Sequence, residues 1–317
     1  MKIDFSEIKT YSIKDRTNLV TCENLKEPDL YVPDPWEDPD FDHLTDNIIR
    51  AKKANRPVIL FMGAHVIKNG LSKYIISLVQ KGYITHIAGN GATSIHDFEL
   101  ALGGGTSEDV PTAIKDGSFG MWEETGRMMN EAIIQGAKSG LGYGQSLYQY
   151  MENHSDLFLY KDICVLYMAQ KAGIPVTYHV SIGTDIIHQH PIADFGAIGK
   201  TSGEDFKIFC ESVSNLDKGV FMNFGSSVIG PEVFLKALSI SRNLGFETYK
   251  ITTANFDLLD LGDYHRKLGY DHPQYYYRPR KNIVTRPVSD GGIGWHFCVD
   301  HNISIPKMYQ TLVTKEG

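Results

Sequence analysis

The sequence predicts an α/β protein, doubly wound around a mostly parallel sheet with helices on both faces. Three observations carry this Rossmann-like expectation. Residues 57–62 (PVILFM) and 219–224 (GVFMNF) are largely apolar without alternation, as in strands buried on both faces. Segments with helical spacing separate such runs, the alternation of a parallel α/β sheet. Glycines close several runs, at Gly63, at Gly89 to Gly91 and at Gly225, where a strand turns into a helix.

Taken in order, residues 1–45 are polar and irregular and read as an arm over a surface; 27–42 carry four prolines and many acids. A helix is expected over 44–55, then a strand at 57–62 and a helix at 71–80. The next strand, 83–88, breaks at Gly89-Asn90-Gly91, and a helix starts near Ser94 with Asp97 and Glu99 early in it, where acids suit the dipole. Residues 103–155 read as mostly helical, over 122–137 and 140–152, behind a flexible glycine loop at 103–106. Strands resume at 176–180, 219–224 and 248–253, with a helix at 231–243. A last strand, 295–299, leads to a helix beginning near Ile305-Pro306. With no repeat and no linker, residues 46–317 read as one domain behind the arm.

The 317 residues are 42% apolar and 22% charged, enough for a sizeable core. A net charge of −7 argues against nucleic acid and anionic membranes as partners, but not against a small anionic ligand. Cys22, Cys164, Cys210 and Cys298 are too scattered for a disulfide framework or a thiolate zinc site, and a reducing cytoplasm is expected. The N-terminus lacks a signal-peptide core, and no apolar run reaches membrane length.

Ligands of open α/β sheets bind at the carboxyl ends of the strands. Gly63, Gly89, Asn90, Gly91, Asn223, Gly225 and Ser226 fall there, and are candidates for holding a nucleotide cofactor such as NAD; tight turns alone are the plainer reading of the glycines. Neither a GxGxxG fingerprint nor a GxxxxGK[ST] loop is present. Thr253, Asn255 and Asp257 sit at a second expected strand end and offer partners for a ribose or an amide; an Asn/Asp turn would look the same. Asp300 could meet a ligand hydroxyl, or its neighbours could simply cap a helix. Asp185, His188 and His190 follow an expected strand and are the candidates for proton transfer and substrate grip, with His96, Asp97 and Glu232 in reserve. No metal is expected, HExxH being absent. The run Tyr275-Tyr276-Tyr277-Arg278-Pro279-Arg280 reads as an inter-subunit or arm contact.

Together these segments resemble the deoxyhypusine synthase-like family. Gly63-Ala64-His65 through Gly70 resembles its early glycine loop, Thr252 to Asp257 its NAD-contacting loop, and Val299 to Pro306 its terminal segment. The stretch from Ala88 through His96-Asp97-Phe98-Glu99 also resembles the NAD-using ornithine cyclodeaminase domain of arginine dihydrolase-type bifunctional proteins, with their Gly-Asn-Ala…His-Asp-x-Glu signature. Both resemblances imply an NAD-binding doubly wound fold, usually oligomeric, acting on amines through transient oxidation to an imine. Deoxyhypusine synthases carry a lysine after Ser-Trp-Gly; here Trp295 is followed by His296, so transfer of an aminobutyl group is not expected. The resulting expectation is an NAD-dependent enzyme, transferase-, lyase- or cyclodeaminase-like, acting on a small polar, amine-containing metabolite as a homo-dimer or tetramer. A hydrolase or nucleosidase using the same crevice, or a non-catalytic nucleotide-binding protein, are the alternatives.

Overall fold

The computed structural model describes residues 3–317. Its strands are β1 (Val20–Thr21), β2 (Val58–Met62), β3 (His86–Asn90), β4 (Gly105–Thr106), β5 (Val176–His179), β6 (Val220–Phe224), β7 (Thr252–Asp257) and β8 (Ile293–Cys298). Six of them form one sheet in the order β5-β3-β2-β6-β7-β8, every pairing parallel. Counted along the chain, that order is third, second, first, fourth, fifth, sixth, the doubly wound arrangement whose direction reverses between β2 and β6.

Strand periodicity explains the unbroken apolar runs. Val58, Leu60 and Met62 of β2 point into one core, and Ile59 and Phe61 into the other. The same division splits β6, with Val220, Met222 and Phe224 on one face and Phe221 on the opposite one. The larger core is completed by residues from the helices Pro39–Lys53, Ser72–Gln80, Glu123–Ser139 and His301–Glu316. The smaller is closed by Phe209 and Val213 of Phe195–Ser214 and by Phe234 of Ile229–Asn243. There Phe221 and Phe234 stack with ring centroids 3.8 Å apart.

Several boundaries differ from the expected ones. β7 begins at Thr252, so the supposed strand-end motif is the strand itself. The helix after β3 starts at Gly91 because Asn90 caps it, its Oδ1 accepting the Thr93 N–H at 3.0 Å. It stops at Gly104, which takes a left-handed conformation and returns its N–H to the Leu100 carbonyl. The last helix starts at His301 with Asp300 as its cap, leaving Pro306 inside it rather than at its start. Phe195–Ser214, 20 residues long, was not expected because its three glycines obscure the spacing.

The first helix, Pro39–Lys53, begins upstream of the boundary expected at residue 45. Before it, the chain is fastened by short contacts. β1 pairs antiparallel with β4, and Tyr11 bridges to Trp122. These contacts bring Arg16 to the helix that follows β3.

Candidate functional site

At the reversal point the loops after β2 and β6 touch. The Gly63 N–H donates to the Phe224 carbonyl at 2.8 Å, and a Cβ on Gly63 would stand 2.6 Å from the Gly225 carbonyl oxygen. Only glycine fits there. Gly225 itself has φ +69°, the left-handed region. Two cavities flank this closure, and the short helix His65–Lys68 contributes to both.

The first, of about 370 Å³, lies beyond β3 and is lined by Arg16, Lys68, His96, Glu99, Glu108 and Asp185 among others. Its wall is a buried ion pair. The Arg16 fork meets both oxygens of Glu99 at 2.8 and 3.0 Å, and Glu99 is 1% exposed. Thr125 donates to Glu99 Oε1 at 2.8 Å and Thr106 to Oε2 at 2.6 Å. Because the Thr106 hydroxyl spends its proton on the carboxylate, it can only accept from the His96 Nδ1, 2.7 Å away. His96 therefore carries its proton on Nδ1, and its Nε2 keeps a free lone pair. Burial drives the His96 imidazole down to about 4, against the opposing pull of Glu99, so it is neutral near pH 7.

Asp185 lines the same cavity as His96. Burial pushes its carboxyl up to about 6, and Oδ2 has no hydrogen-bond partner. Behind it lies His188, whose Nδ1 accepts the backbone N–H groups of Gly183 and Asp185 at 3.1 and 3.2 Å. The His188 proton thus sits on Nε2, 4.0 Å from Asp185 Oδ2 and also unpaired. Glu108 holds the Trp122 indole and the Gly120 N–H through Oε1, and burial raises its carboxyl.

The second cavity, about 400 Å³, opens at the ends of β6 and β7 and is lined by His65, Asn69, Gly225, Asp257, Asp300 and His301 among others. Asp257 takes the Tyr277 hydroxyl at 2.6 Å and the Leu258 N–H at 2.7 Å. Asp300 Oδ1 accepts the Asn302 N–H at 2.7 Å. The buried His301 lies beside Gly225, its Nδ1 unpaired. Lys26 of the N-terminal segment reaches the rim, bonding to Asn302 and to the Asn69 carbonyl.

The residues singled out in the sequence thus divide. Asp185 lines the first cavity, with His188 directly behind it. His190 is apart from both, packed against Gly126 with Nε2 3.1 Å from Glu123. Gly63, Gly91 and Asn90 shape the strand ends. Gly89 is enclosed by Thr93 and Tyr178. Gly225, Asp257 and Asp300 line the second cavity.

Asn223, Thr253 and Asn255 are fully buried instead, because β6 carries the first and β7 the other two into the sheet. Asn223 donates to Asn255 Oδ1 at 2.7 Å, Asn255 to His296 Nδ1 at 3.0 Å, and His296 to the Leu259 carbonyl at 2.8 Å. Thr253 donates to the Ile283 carbonyl, and Ser226 accepts the Gly230 N–H. Among the reserves, Asp97 caps the helix Val165–Lys171 by accepting the Val165 and Leu166 N–H groups at 2.9 and 2.7 Å, and Glu232 pairs with Arg278 and Lys236 at the surface. His96 is the reserve that reaches a cavity. Arg16, Lys68, Thr106 and Glu108 gave no sequence signal, since Arg16 and Glu108 belong to irregular segments, Thr106 to the two-residue strand β4 and Lys68 to a four-residue helix. Among the described residues, no group of three or more His, Cys, Asp or Glu is arranged to hold a metal, and no helix is long and apolar enough to cross a membrane.

No family model and no curated protein sequence matches the chain. Its fold is similar to that of solved structures. One is a conserved LOR/SDH-like protein from Methanococcus maripaludis S2, at 14% identity and TM-score 0.52, covering 90% of this chain and 70% of that one. Another is apo ArgZ, an arginine dihydrolase from the ornithine–ammonia cycle in Cyanobacteria, at 14% identity and TM-score 0.50, covering 88% of this chain and 33% of ArgZ. A third is a deoxyhypusine synthase-like protein from Entamoeba histolytica, at 10% identity and TM-score 0.47, covering 97% of each chain. The chain spans about a third of the length of ArgZ. At these identities the likeness is one of fold alone: an α/β domain around a six-stranded parallel sheet.

Proposed function

We propose that the chain is an NAD-using enzyme acting on a small polar metabolite that carries an amine. The observation that carries this reading is the pair of cavities flanking the β2/β6 reversal, one bearing acids suited to a ribose and the other bearing poised proton-transfer groups. The second cavity fits one nucleotide half of the cofactor. Asp300 and Asp257 offer carboxylates to sugar hydroxyls, and Gly225 lets the ligand approach the backbone closely. His301, with Nδ1 unpaired, and Asn302 complete its polar lining. Bound NAD supplies a hydride acceptor for the carbon that bears the amine.

The chain's own groups do the rest in the first cavity. The Asp185 carboxylate, ionised above about 6, holds the substrate ammonium. Lys68, without an ion-pair partner among the described residues, faces a carboxylate at the other end of the substrate. His96 accepts the proton released from the amine at Nε2, while Thr106, Glu99 and Arg16 keep its tautomer fixed.

The test is a screen of amino acids and short diamines with NAD present, with products read by mass spectrometry. Turnover by the wild type and its loss in Asp185→Asn support the reading. Cleavage of nucleosides without NAD would replace it with N-glycosidic hydrolysis in the same crevice.

A further inference from the structure

Between β7 and β8 the chain passes through residues 258–292, and the turn Arg280–Thr285 packs against both strands. A groove of about 780 Å³ opens on this segment, lined by Arg266, Lys267, Arg280, Lys281, Arg286 and Tyr275 among others. It shares no lining residue with the two cavities above. No carboxylate lines it, although the chain as a whole carries a net charge of −7.

Arg280 and Lys281 are held in place at its base, while Arg266, Lys267 and Arg286 are exposed along its rim. Arg280 is 7% exposed, donates one guanidinium nitrogen to the Arg266 carbonyl, and leaves Nε without a partner. The Lys281 ammonium is fixed over the rings of Tyr275 and Tyr276, 4.8 and 4.9 Å from their centroids. Desolvation, Arg286 and Arg278 together hold that ammonium below the ordinary lysine value. Arg278, by contrast, is neutralised by Glu232 outside the groove at 2.9 Å. Five like charges gathered with no carboxylate in the lining repel one another, although Asp263 and Glu232 act on Arg280 and Lys281 from outside it. A multiply charged anion relieves that cost, and guanidinium forks match the oxygens of a phosphate.

We propose that this groove binds a soluble phosphorylated small molecule carrying at least two negative charges, at a site separate from the cofactor and substrate cavities. Calorimetric titration of the full chain with inorganic pyrophosphate at low ionic strength tests it. Arg266 and Lys267 are exposed, so Arg266→Ala/Lys267→Ala leaves the fold intact, which the melting temperature verifies. The expected result is saturable one-site binding that weakens roughly tenfold or more in that variant, weakens with added salt, and is unchanged in Asp300→Ala. Absence of saturable binding, or equal affinity in the double variant, overturns the proposal. So does binding to phosphatidylcholine vesicles containing phosphatidic acid without binding to pyrophosphate, which would assign the groove to a lipid headgroup.

Discussion

The carboxylate of Asp185 lies directly over Gly91, so close that a Cβ there would stand 1.9 Å from Oδ2. Gly91 opens the helix after β3, and the anion sits at the positive end of that helix. Helix propensity alone favours alanine over glycine by about 1 kcal/mol. Steric exclusion decides the other way, since Asp185 and its loop must move. Gly91→Ala is therefore expected to destabilise the protein by about 1–3 kcal/mol, read as a fall in melting temperature. A rise would show that the loop yields freely and that Asp185 is not held.

The buried pair of Arg16 and Glu99 ties the N-terminal segment to the first cavity. Removing one partner leaves the other charged, desolvated and unpaired. Arg16→Ala is expected to cost about 3–5 kcal/mol in urea denaturation and to expose the first 20 or so residues to limited proteolysis. Unchanged stability together with unchanged protease resistance would contradict the role assigned to this pair.

Asp205 supplies a pH-dependent term. Burial pushes its carboxyl up to about 7, although the Tyr178 and Gly144 N–H groups, donating to Oδ2 at 2.7 and 3.0 Å, pull the other way. The folded chain then holds this proton more tightly than the unfolded one, whose value is near 3.8. Its contribution to stability falls as pH rises between those values and is fully lost above the higher one. In Asp205→Asn this loss is absent, so the variant gains on the wild type from about pH 4 to about pH 7 and levels off beyond. His86 and His179, both driven down to about 3 by burial, act oppositely below pH 6.5 and cancel in the comparison. Urea midpoints of the two proteins across this range provide the measurement, and a pH-independent difference would contradict the shift.

The His96 tautomer rests on Thr106. His96→Ala is expected to lower turnover by roughly 10²–10⁴ with cofactor affinity retained. Thr106→Val frees the imidazole to turn and lowers turnover less, again without weakening the cofactor. Because Asp185 grips as an anion, turnover should rise with pH through about 6. A steady-state profile that is flat there, or an equal loss of NAD binding in Thr106→Val, would contradict these roles.

The sheet was legible because its signal is local. Residues 57–62 and 219–224 need no partner to read as strands buried on both faces. The candidate site was legible where the chain places residues at or just past strand ends, as with Gly63, Gly91, Gly225, Asp257 and Asp300, and in the loop after β5 that carries Asp185. A shift of a few residues in the expected start of β7 was enough to turn Thr253 and Asn255 from ligand partners into members of a buried network. His190 follows His188 by two positions, yet the helical turn Ile186–Gln189 sends it to Glu123. Arg16 reaches Glu99 across 83 positions of sequence, a distance at which no periodicity leaves a trace.

The most direct test of the central claim is native mass spectrometry of the purified chain titrated with NAD, beside Asp300→Ala. Asp300 lines the cavity with one carboxylate oxygen engaged in capping the last helix, so the melting temperature of the variant is recorded in parallel. The account predicts saturable binding of one NAD per chain, markedly weakened in a variant that remains folded. No saturable binding by the wild type, or equal affinity in the folded variant, would contradict it.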